Sequence, residues 1–144
     1  MIVIAMEEEK KRFAGDEEVL VTGVGAVNIL QALRDVPRDT PIRNIGYAGS
    51  NSIPVGTEVR VGRVELYHPH YAYEEPVFQL DGDVPCYTSC DFVTETEITE
   101  PCVFDMELAF ILALGFTNVT AVKIVSDSLS TEEFEKNIKE EGSV

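Results

Sequence analysis

Short apolar runs recur along the chain and predict buried strands that alternate with stretches of helical spacing. The clearest runs are Met1–Ala5, Glu18–Thr22, Ile42–Gly46, Glu58–Tyr67 and Val119–Val125. Gly62 interrupts the fourth run, where a glycine within a β pattern indicates a bulge. Two shorter stretches, 86–89 and 103–104, are predicted strand ends, and residues 68–85, rich in proline, tyrosine and acid, predict mostly loop.

Helical periodicity appears in two places and a helix start signal in a third. Residues 26–34 carry apolar side chains at helical spacing, namely Val27, Leu30 and Leu33. Residues 105–116 predict a helix whose buried side consists of Met106, Ala109, Phe110, Ala113 and Leu114. Ser130 and Glu133 form a capping box for a last helix over 131–141. Strands alternating with helices predict one α/β domain over residues 1–144, with a mixed or mostly parallel sheet.

Charge and length exclude several classes of protein. The chain has 144 residues, with 11 Lys and Arg against 26 Asp and Glu, which gives a net charge of −15. Such a surface repels nucleic-acid phosphates and anionic lipid. The apolar runs are too short to cross a membrane, and the acidic start lacks the basic region of a secretory signal. Three cysteines without a CxxC spacing predict reduced thiols and a cytoplasmic protein.

Two local motifs are weak indications of chemistry. Gly23-Val24-Gly25 lies between a predicted strand and helix, where a phosphate-binding turn would lie, but Asn28 replaces the third glycine of the dinucleotide motif. A tight turn is the favoured interpretation. His68 and His70 would share one side of a strand, and pocket histidines are favoured over a metal site because no third ligand follows nearby. The absence of GxSxG and CxxC disfavours a serine hydrolase or a redox enzyme.

Three acids lie where strands end or helices begin, and such positions meet at one edge of an α/β sheet. Glu9 follows the first strand, Glu107 lies in the first turn of a predicted helix, and Asp127 ends an apolar strand. Each has a simpler explanation: a solvated helix start for Glu9, the helix dipole for Glu107 and a turn cap for Asp127. For each acid taken alone, its spacing favours the simpler explanation.

Seven short segments, taken together and in their order along the chain, favour a shared site over these simpler explanations. The chain resembles the purine nucleoside phosphorylase superfamily, and most closely the methylthioadenosine/S-adenosylhomocysteine nucleosidases. The similar segments are Ile4–Glu9, Thr22–Gly25, Asn44–Gly49 with Pro54–Gly56, Glu65–His68, Ser89–Val93, Phe104–Glu107 and Ile124–Asp127. The resemblance implies a three-layer phosphorylase/hydrolase-like α/β domain around a mixed, mostly parallel central sheet.

The resemblance also implies roles for individual residues. Asp127 would be the general acid at purine N7, which requires a carboxyl that keeps its proton near neutral pH, and Glu9 would be the base that activates the attacking water. Glu107, with Met106, would take the ribose hydroxyls, and Glu9 and Glu107 would stay ionised. The remaining implied substrate-binding residues are Phe92 and Val93 at the base, Ala48 and Gly49 in the base pocket, Tyr67 at the far end of the sugar, Tyr47 on the nucleophile side, Ser126 beside Asp127, and Lys123 supporting Glu107.

The expected activity is therefore hydrolysis of the N-glycosidic bond of a purine nucleoside or 5′-thio-nucleoside, as part of methionine salvage. An acidic chain with Tyr47 and Asn44 in place of phosphate-binding residues favours water over phosphate. The resemblance calls for no metal or organic cofactor, and it implies a homodimer or higher homo-oligomer. Two alternatives remain open: a non-catalytic nucleoside-binding domain, and a phosphate-dependent phosphorylase.

Overall fold

A computed structural model describes residues 1–13, 17–68 and 74–130 of the chain. It contains, in order, β1 (Ile2–Ile4), α1 (Glu7–Phe13), β2 (Val19–Val21), α2 (Ala26–Leu33), β3 (Ile42–Ser50), β4 (Glu58–Leu66), β5 (Phe78–Gln79), β6 (Val84–Thr88), β7 (Val103–Asp105), α3 (Leu108–Ala113) and β8 (Val119–Asp127). The predicted last helix, 131–141, lies outside the described residues. No helix in the described part of the chain is long and apolar enough to cross a membrane.

The eight strands form one mixed sheet that closes on itself. β3 pairs with β7 on one side and β8 on the other, while β4 pairs with β8 and β6, and β6 pairs with β7. These pairings complete a ring of five strands, β3–β7–β6–β4–β8. β1 and β2 extend the ring from β3, and β5 extends it from β4. Within the described ranges five of the eight pairings are parallel, which confirms the expected mixed, mostly parallel sheet.

Alternate residues of each strand point to opposite faces of the sheet, and both faces of β1 are buried. Val3 belongs to the large core between the sheet and the helices α2 and α3, together with Ile29 and Leu33. Ile2 and Ile4 point to the opposite face, where they form a smaller cluster with Ile45. β1 is therefore apolar throughout because it has no solvent-facing side.

Of the three apolar residues that predicted helix α2, Val27, Leu30 and Leu33, the helix buries Leu33. Ile29 and Leu33, one turn apart, are fully buried, whereas Val27 is 68% exposed and Leu30 48% exposed. The spacing of Val27, Leu30 and Leu33 is helical, but three apolar positions also occur on a second face of this short helix. Packing against the large core selects the Ile29–Leu33 face and leaves Val27 and Leu30 largely exposed.

Helix α3 begins later than predicted, because β7 continues through Asp105. This delay rotates the buried side of the helix relative to the prediction. Its buried residues are Leu108, Ala109, Ile111 and Leu112. Met106 and Phe110 are partly buried, Leu114 packs against the core from its edge, and Ala113 is exposed. Of the predicted set, Ala109 alone is fully buried.

Strand β4 contains the predicted bulge. Its register with β6 shifts between Val61 and Val64, on either side of Gly62. A Cβ at Gly62 would lie 2.5 Å from the carbonyl oxygen of Gly82, closer than real Cβ atoms approach. Glycine is needed here because another backbone passes against it. The predicted loop over 68–85 is interrupted by β5 and by the start of β6, and residues 69–73 lie outside the described part.

Arg38 connects the C-terminal ends of α2 and α3. Its guanidinium donates to the carbonyl oxygen of Leu114 at 2.7 Å and to those of Val36 and Leu33 at 2.6 and 3.2 Å. It also lies over the ring of Phe116, 5.0 Å from the centroid. Helix C-termini leave carbonyl groups without intrahelical partners, so one cation satisfies several of them.

Candidate active site

The carboxylate of Glu9 lies inside the protein although it belongs to an acidic helix start. Glu9 is 2% exposed, while its neighbours Glu7 and Glu8 are exposed. Its Oε1 accepts the backbone N–H groups of Ala5 at 3.0 Å and Met6 at 2.9 Å. Its Oε2 accepts the N–H of residue 47 in β3 at 2.8 Å. The simpler interpretation of Glu9, a solvated helix start, is therefore wrong.

A glycine in β3 makes room for this carboxylate. A Cβ on Gly46 would overlap with Oε2 of Glu9 and would lie 3.7 Å from Nζ of Lys123. The absence of a side chain at this position thus allows the carboxylate to reach the strand. The strand predicted over Ile42–Gly46 is longer in the structure, because β3 continues to Ser50.

Glu107 reaches across to the start of α2. It is buried, and its Oε2 accepts the backbone N–H of Gly25 at 3.0 Å. Gly23 and Gly25 have φ of 92° and 91°, so both need glycine, and the tight-turn interpretation agrees with this geometry. The free N–H of the turn serves an internal carboxylate. Glu107 makes no side-chain capping bond to α3, so its helix-dipole partner is α2.

Lys123 forms its ion pair with Asp105. Lys123 is 1% exposed, and its Nζ lies 3.2 Å from Oδ2 of Asp105. Among the described residues no ion pair joins Lys123 directly to Glu107, the glutamate that it was expected to support. Its effect on Glu107 is a longer-range attraction that lowers the pKa of that carboxyl. The expectation is thus corrected: the direct partner of Lys123 is Asp105.

Three buried acids share one buried cation, and the pKa values show the consequence. Burial in the first place, and Asp105 after it, raise the pKa of Glu107 to about 7, against the opposing effects of Lys123 and the Gly25 N–H. Burial also raises the pKa of Glu9, opposed by Lys123. The pKa of Lys123 is raised because the surrounding acids outweigh its burial. The surroundings of Glu107 therefore oppose the full ionisation at neutral pH that the resemblance implies for it.

Asp127 ends β8 in a fully buried position. Its Oδ2 accepts the hydroxyl of Ser126 at 3.0 Å, and its Oδ1 accepts the backbone N–H of Leu129 at 2.8 Å. Leu129 has a φ of 72°, which is uncommon for a leucine. A Cβ on Gly49 would lie 2.7 Å from Oδ1, so Asp127 is packed against β3. Asp127 does cap a turn, as its simpler interpretation holds, and it also faces a cavity.

One cavity is bordered both by Asp127 and by Asp105, one of the three buried acids around Lys123. Its lining residues are Gly49, Asp91, Phe92, Val93, Phe104, Asp105, Met106, Asp127 and Leu129. Five of the predicted residues meet here: Gly49, Phe92, Val93, Met106 and Asp127. Sequence reasoning missed the other four lining residues, Asp91, Phe104, Asp105 and Leu129, although Phe104 and Asp105 belong to the similar segment Phe104–Glu107.

The other seven predicted residues do not line this cavity: Glu9, Glu107, Lys123 and Ser126, whose contacts are given above, and Tyr67, Tyr47 and Ala48. Tyr67 donates its hydroxyl to Oγ1 of Thr96 at 3.0 Å and packs edge-on against Phe104, with ring centroids 5.3 Å apart. The buried side chain of Tyr47 packs with Ile124 and Met6, and the part of Tyr47 that reaches Glu9 is its backbone N–H. Ala48 lies in the large core.

The loop between β6 and β7 carries Phe92 and Val93, and Asn51 fastens its far half. The amide of Asn51 donates to the carbonyl oxygens of Ile98 and Glu100, both at 2.9 Å, and accepts the N–H of Cys102 at 3.2 Å. These bonds hold the segment that follows the predicted base-binding pair against the end of β3.

The histidine pair is described in part. Nε2 of His68 lies 3.3 Å from Oε1 of Glu75, and His70 lies outside the described residues. Across residues 1–13, 17–68 and 74–130, no group of three or more His, Cys, Asp or Glu side chains is placed to hold a metal ion.

The closed mixed sheet defines the α/β fold of nucleosidases, which solved structures share over nearly the whole chain. The MTAN of Chlamydia trachomatis, bound to adenine, has a TM-score of 0.76 at 16% identity and covers 99% of this chain and 90% of its own. For the methylthioadenosine/S-adenosylhomocysteine nucleosidase of S. pneumoniae, solved with a transition-state inhibitor, the TM-score is 0.75 at 20% identity, over 98% and 92%. Futalosine hydrolase of Helicobacter pylori has a TM-score of 0.76 at 13% identity, and the match covers 98% of this chain and 91% of that one.

No protein-family model and no curated protein matches the sequence. At identities of 13–20% the likeness establishes the fold. The α/β architecture expected from the seven segments is therefore confirmed.

Proposed function

We propose that this protein hydrolyses the N-glycosidic bond of a purine nucleoside or 5′-thio-nucleoside to the free purine and the sugar. The observation that carries this proposal is the placement of buried carboxyl groups around one cavity. Asp127 lies on the cavity wall, as does Asp105, which is bonded to the start of α3 beside Glu107. Cleavage of this bond develops positive charge on the sugar and negative charge on the base, and acids in two protonation states stabilise both.

In the proposed reaction each acid has its own task. Asp127 gives a proton to N7 of the purine, so that the electron pair of the breaking C1′–N9 bond moves into a neutral leaving base. A water oxygen forms the new bond to C1′, and Glu9 takes the proton that this water loses. Glu107 accepts the ribose hydroxyls in its ionised form. Phe92 and Val93 hold the base, as the cavity lining allows.

The environment of Glu9 favours water over phosphate. Its carboxylate already occupies the N–H groups of Ala5, Met6 and Tyr47, which would otherwise suit an anion. Oε1 accepts two donors, whereas Oε2 accepts one of these three and retains a lone pair for a water. A phosphate would also approach several acids that share Lys123, whose ion pair is with Asp105. Phosphorolysis is therefore the weaker alternative.

The test is release of free base, followed by chromatography. The protein is incubated with methylthioadenosine, S-adenosylhomocysteine, adenosine and inosine, with and without phosphate. We expect base without phosphate, and at least a ~10²-fold loss in Asp127→Asn, since a positioned general acid contributes about that much. Release in the presence of phosphate alone would establish the phosphorylase. Binding that raises Tm without any release would establish the non-catalytic binding domain.

The finer expectations belong to the same proposal. We infer a cytoplasmic enzyme of methionine salvage, and the described cysteines, Cys86, Cys90 and Cys102, are free thiols. We also infer a homodimer or higher homo-oligomer, since α2 exposes Val27 and Leu30 beside the turn that contacts Glu107. Light scattering of Leu30→Glu tests the assembly, and a wild-type protein that is already monomeric would contradict it.

A further inference from the structure

We propose that Asp105 is a positioning residue of this site: it holds Lys123 away from Glu107 and thereby sets the charge of Glu107. This inference rests on the proposed function for its consequence in catalysis, because Glu107 is the group assigned to the ribose. The structural part of it stands on contacts among Asp105, Lys123 and the start of α3.

Asp105 lines the cavity, but protein donors already occupy both of its oxygens. Oδ2 accepts Nζ of Lys123 at 3.2 Å and the backbone N–H groups of Leu108 and Glu107 at 2.8 and 3.3 Å. Oδ1 accepts the hydroxyl of Thr88 at 2.5 Å and the thiol of Cys86 at 3.4 Å. A carboxylate offers about four lone-pair positions, so five donors leave no capacity for a ligand. Asp105 therefore acts through its neighbours and does not bind substrate.

Through these contacts Asp105 fixes the position of Glu107 and that of Lys123, the cation that favours the ionised form of Glu107. Asp105 holds the backbone of Glu107 through the N–H of that residue, and it holds Lys123 through the ion pair. Thr88 completes the arrangement, because its hydroxyl donates to Asp105 and accepts the N–H of Ala109 at 3.0 Å. Strands β6, β7 and β8 thus meet the start of α3 at one carboxylate.

Three charged groups among the described residues act on the pKa of Glu107, each with a known direction. Asp105 of β7 and Glu9 of α1 raise the pKa of the Glu107 carboxyl, and Lys123 of β8 lowers it. Cys86 of β6 lies behind the pair, and burial and Asp105 raise the pKa of its thiol, so it stays neutral. Removing the charge of Asp105 must therefore lower the pKa of Glu107, whereas removing the charge of Lys123 must raise it.

The experiment follows the titration of Glu107 in the full chain by carbon-13 NMR of labelled glutamate carboxyls, with Glu107→Gln to assign the signal. We expect the midpoint to move down in Asp105→Asn and up in Lys123→Met, by about one pH unit or more in each, as is usual for a charge within a few ångströms. The double variant Asp105→Asn/Lys123→Met, which removes both members of the ion pair, should titrate between the two. Because neither member of the ion pair is left alone, comparison of the double variant with wild type and with either folded single variant keeps the test available if the other single variant does not fold.

The pH dependence of kcat/KM for methylthioadenosine gives the matching functional readout, with its acid limb moving in the same two directions. Midpoints that do not move, or that move in the same direction in both single variants, would overturn the proposal and leave a purely structural pair. The NMR titration needs no turnover, so a protein that cleaves no nucleoside refutes the proposed function alone. An active protein without opposed shifts refutes this inference alone.

Discussion

The raised pKa of Glu107 makes a prediction about stability that needs no substrate. A carboxyl whose pKa is higher in the folded than in the unfolded protein stabilises the fold at low pH, and this contribution is lost as the pH rises through the folded value. For Glu107 the pKa rises from 4.5 to about 7, which corresponds to about 3 kcal/mol. The protein should therefore become less stable relative to Glu107→Gln as the pH increases.

The assay is urea unfolding of the wild type and Glu107→Gln at about pH 5 and about pH 8, compared as a difference of differences so that all other groups cancel. Most of the effect, roughly 2 to 3 kcal/mol, falls between these two conditions. Glutamine keeps an oxygen that can accept the Gly25 N–H, so the comparison isolates the charge. Glu7→Gln, at an exposed position of α1, is the matched control.

The reasoning would be refuted if the stability difference between wild type and Glu107→Gln were the same at both pH values. A wild type that gained stability relative to Glu107→Gln with rising pH would show the opposite sign, with a Glu107 pKa lowered by Lys123. In either case Lys123 would lie closer to Glu107 than its ion pair with Asp105 indicates.

Further predictions concern close packing and helix ends. Gly49→Ala would place a Cβ 2.7 Å from Asp127 Oδ1, and the displaced acid should reduce kcat for base release about 10²-fold, with a folded circular-dichroism spectrum. Gly46→Ala would displace Glu9 in the same way, and a similar loss of kcat is expected; unchanged turnover would contradict the assigned role of either acid. Arg38→Ala removes several bonds to helix carbonyls and should reduce the free energy of unfolding by about 2 to 4 kcal/mol in urea titrations, with KM unchanged.

The sequence predicts the strands of this fold well, because burial on both faces leaves an unmistakable apolar run. Strand β1 is an example, with every residue buried. The helix faces are less predictable, because a short helix with many apolar residues fits several periodic patterns. In α2 the choice between Leu30 and Ile29 depends on what lies beneath the helix, which is decided by strands far away in the chain.

The site also contains residues that the sequence predicts and contacts that depend on the complete fold. Glu9, Glu107 and Asp127 could be predicted as acids at strand ends and helix starts, and their segments were recognisable. The partner of Lys123 could not, because Asp105 reaches it from β7, and both β7 and β8 pair with β3. The raised pKa of Glu107 could not be predicted either, because the burial that causes it depends on the complete fold.

The ring of five strands has a consequence for how the protein is made. β8 is the last described strand in the chain, and it fills the place between β3 and β4, which precede it by roughly 60 to 80 residues. Until the ribosome has released β8, β3 and β4 each lack a neighbour, and Asp127 is absent. Contacts of such long sequence separation form slowly, and unpaired strand edges invite aggregation. A nascent chain that ends before β8 therefore leaves the edges of β3 and β4 open and lacks one wall of the cavity, Asp127.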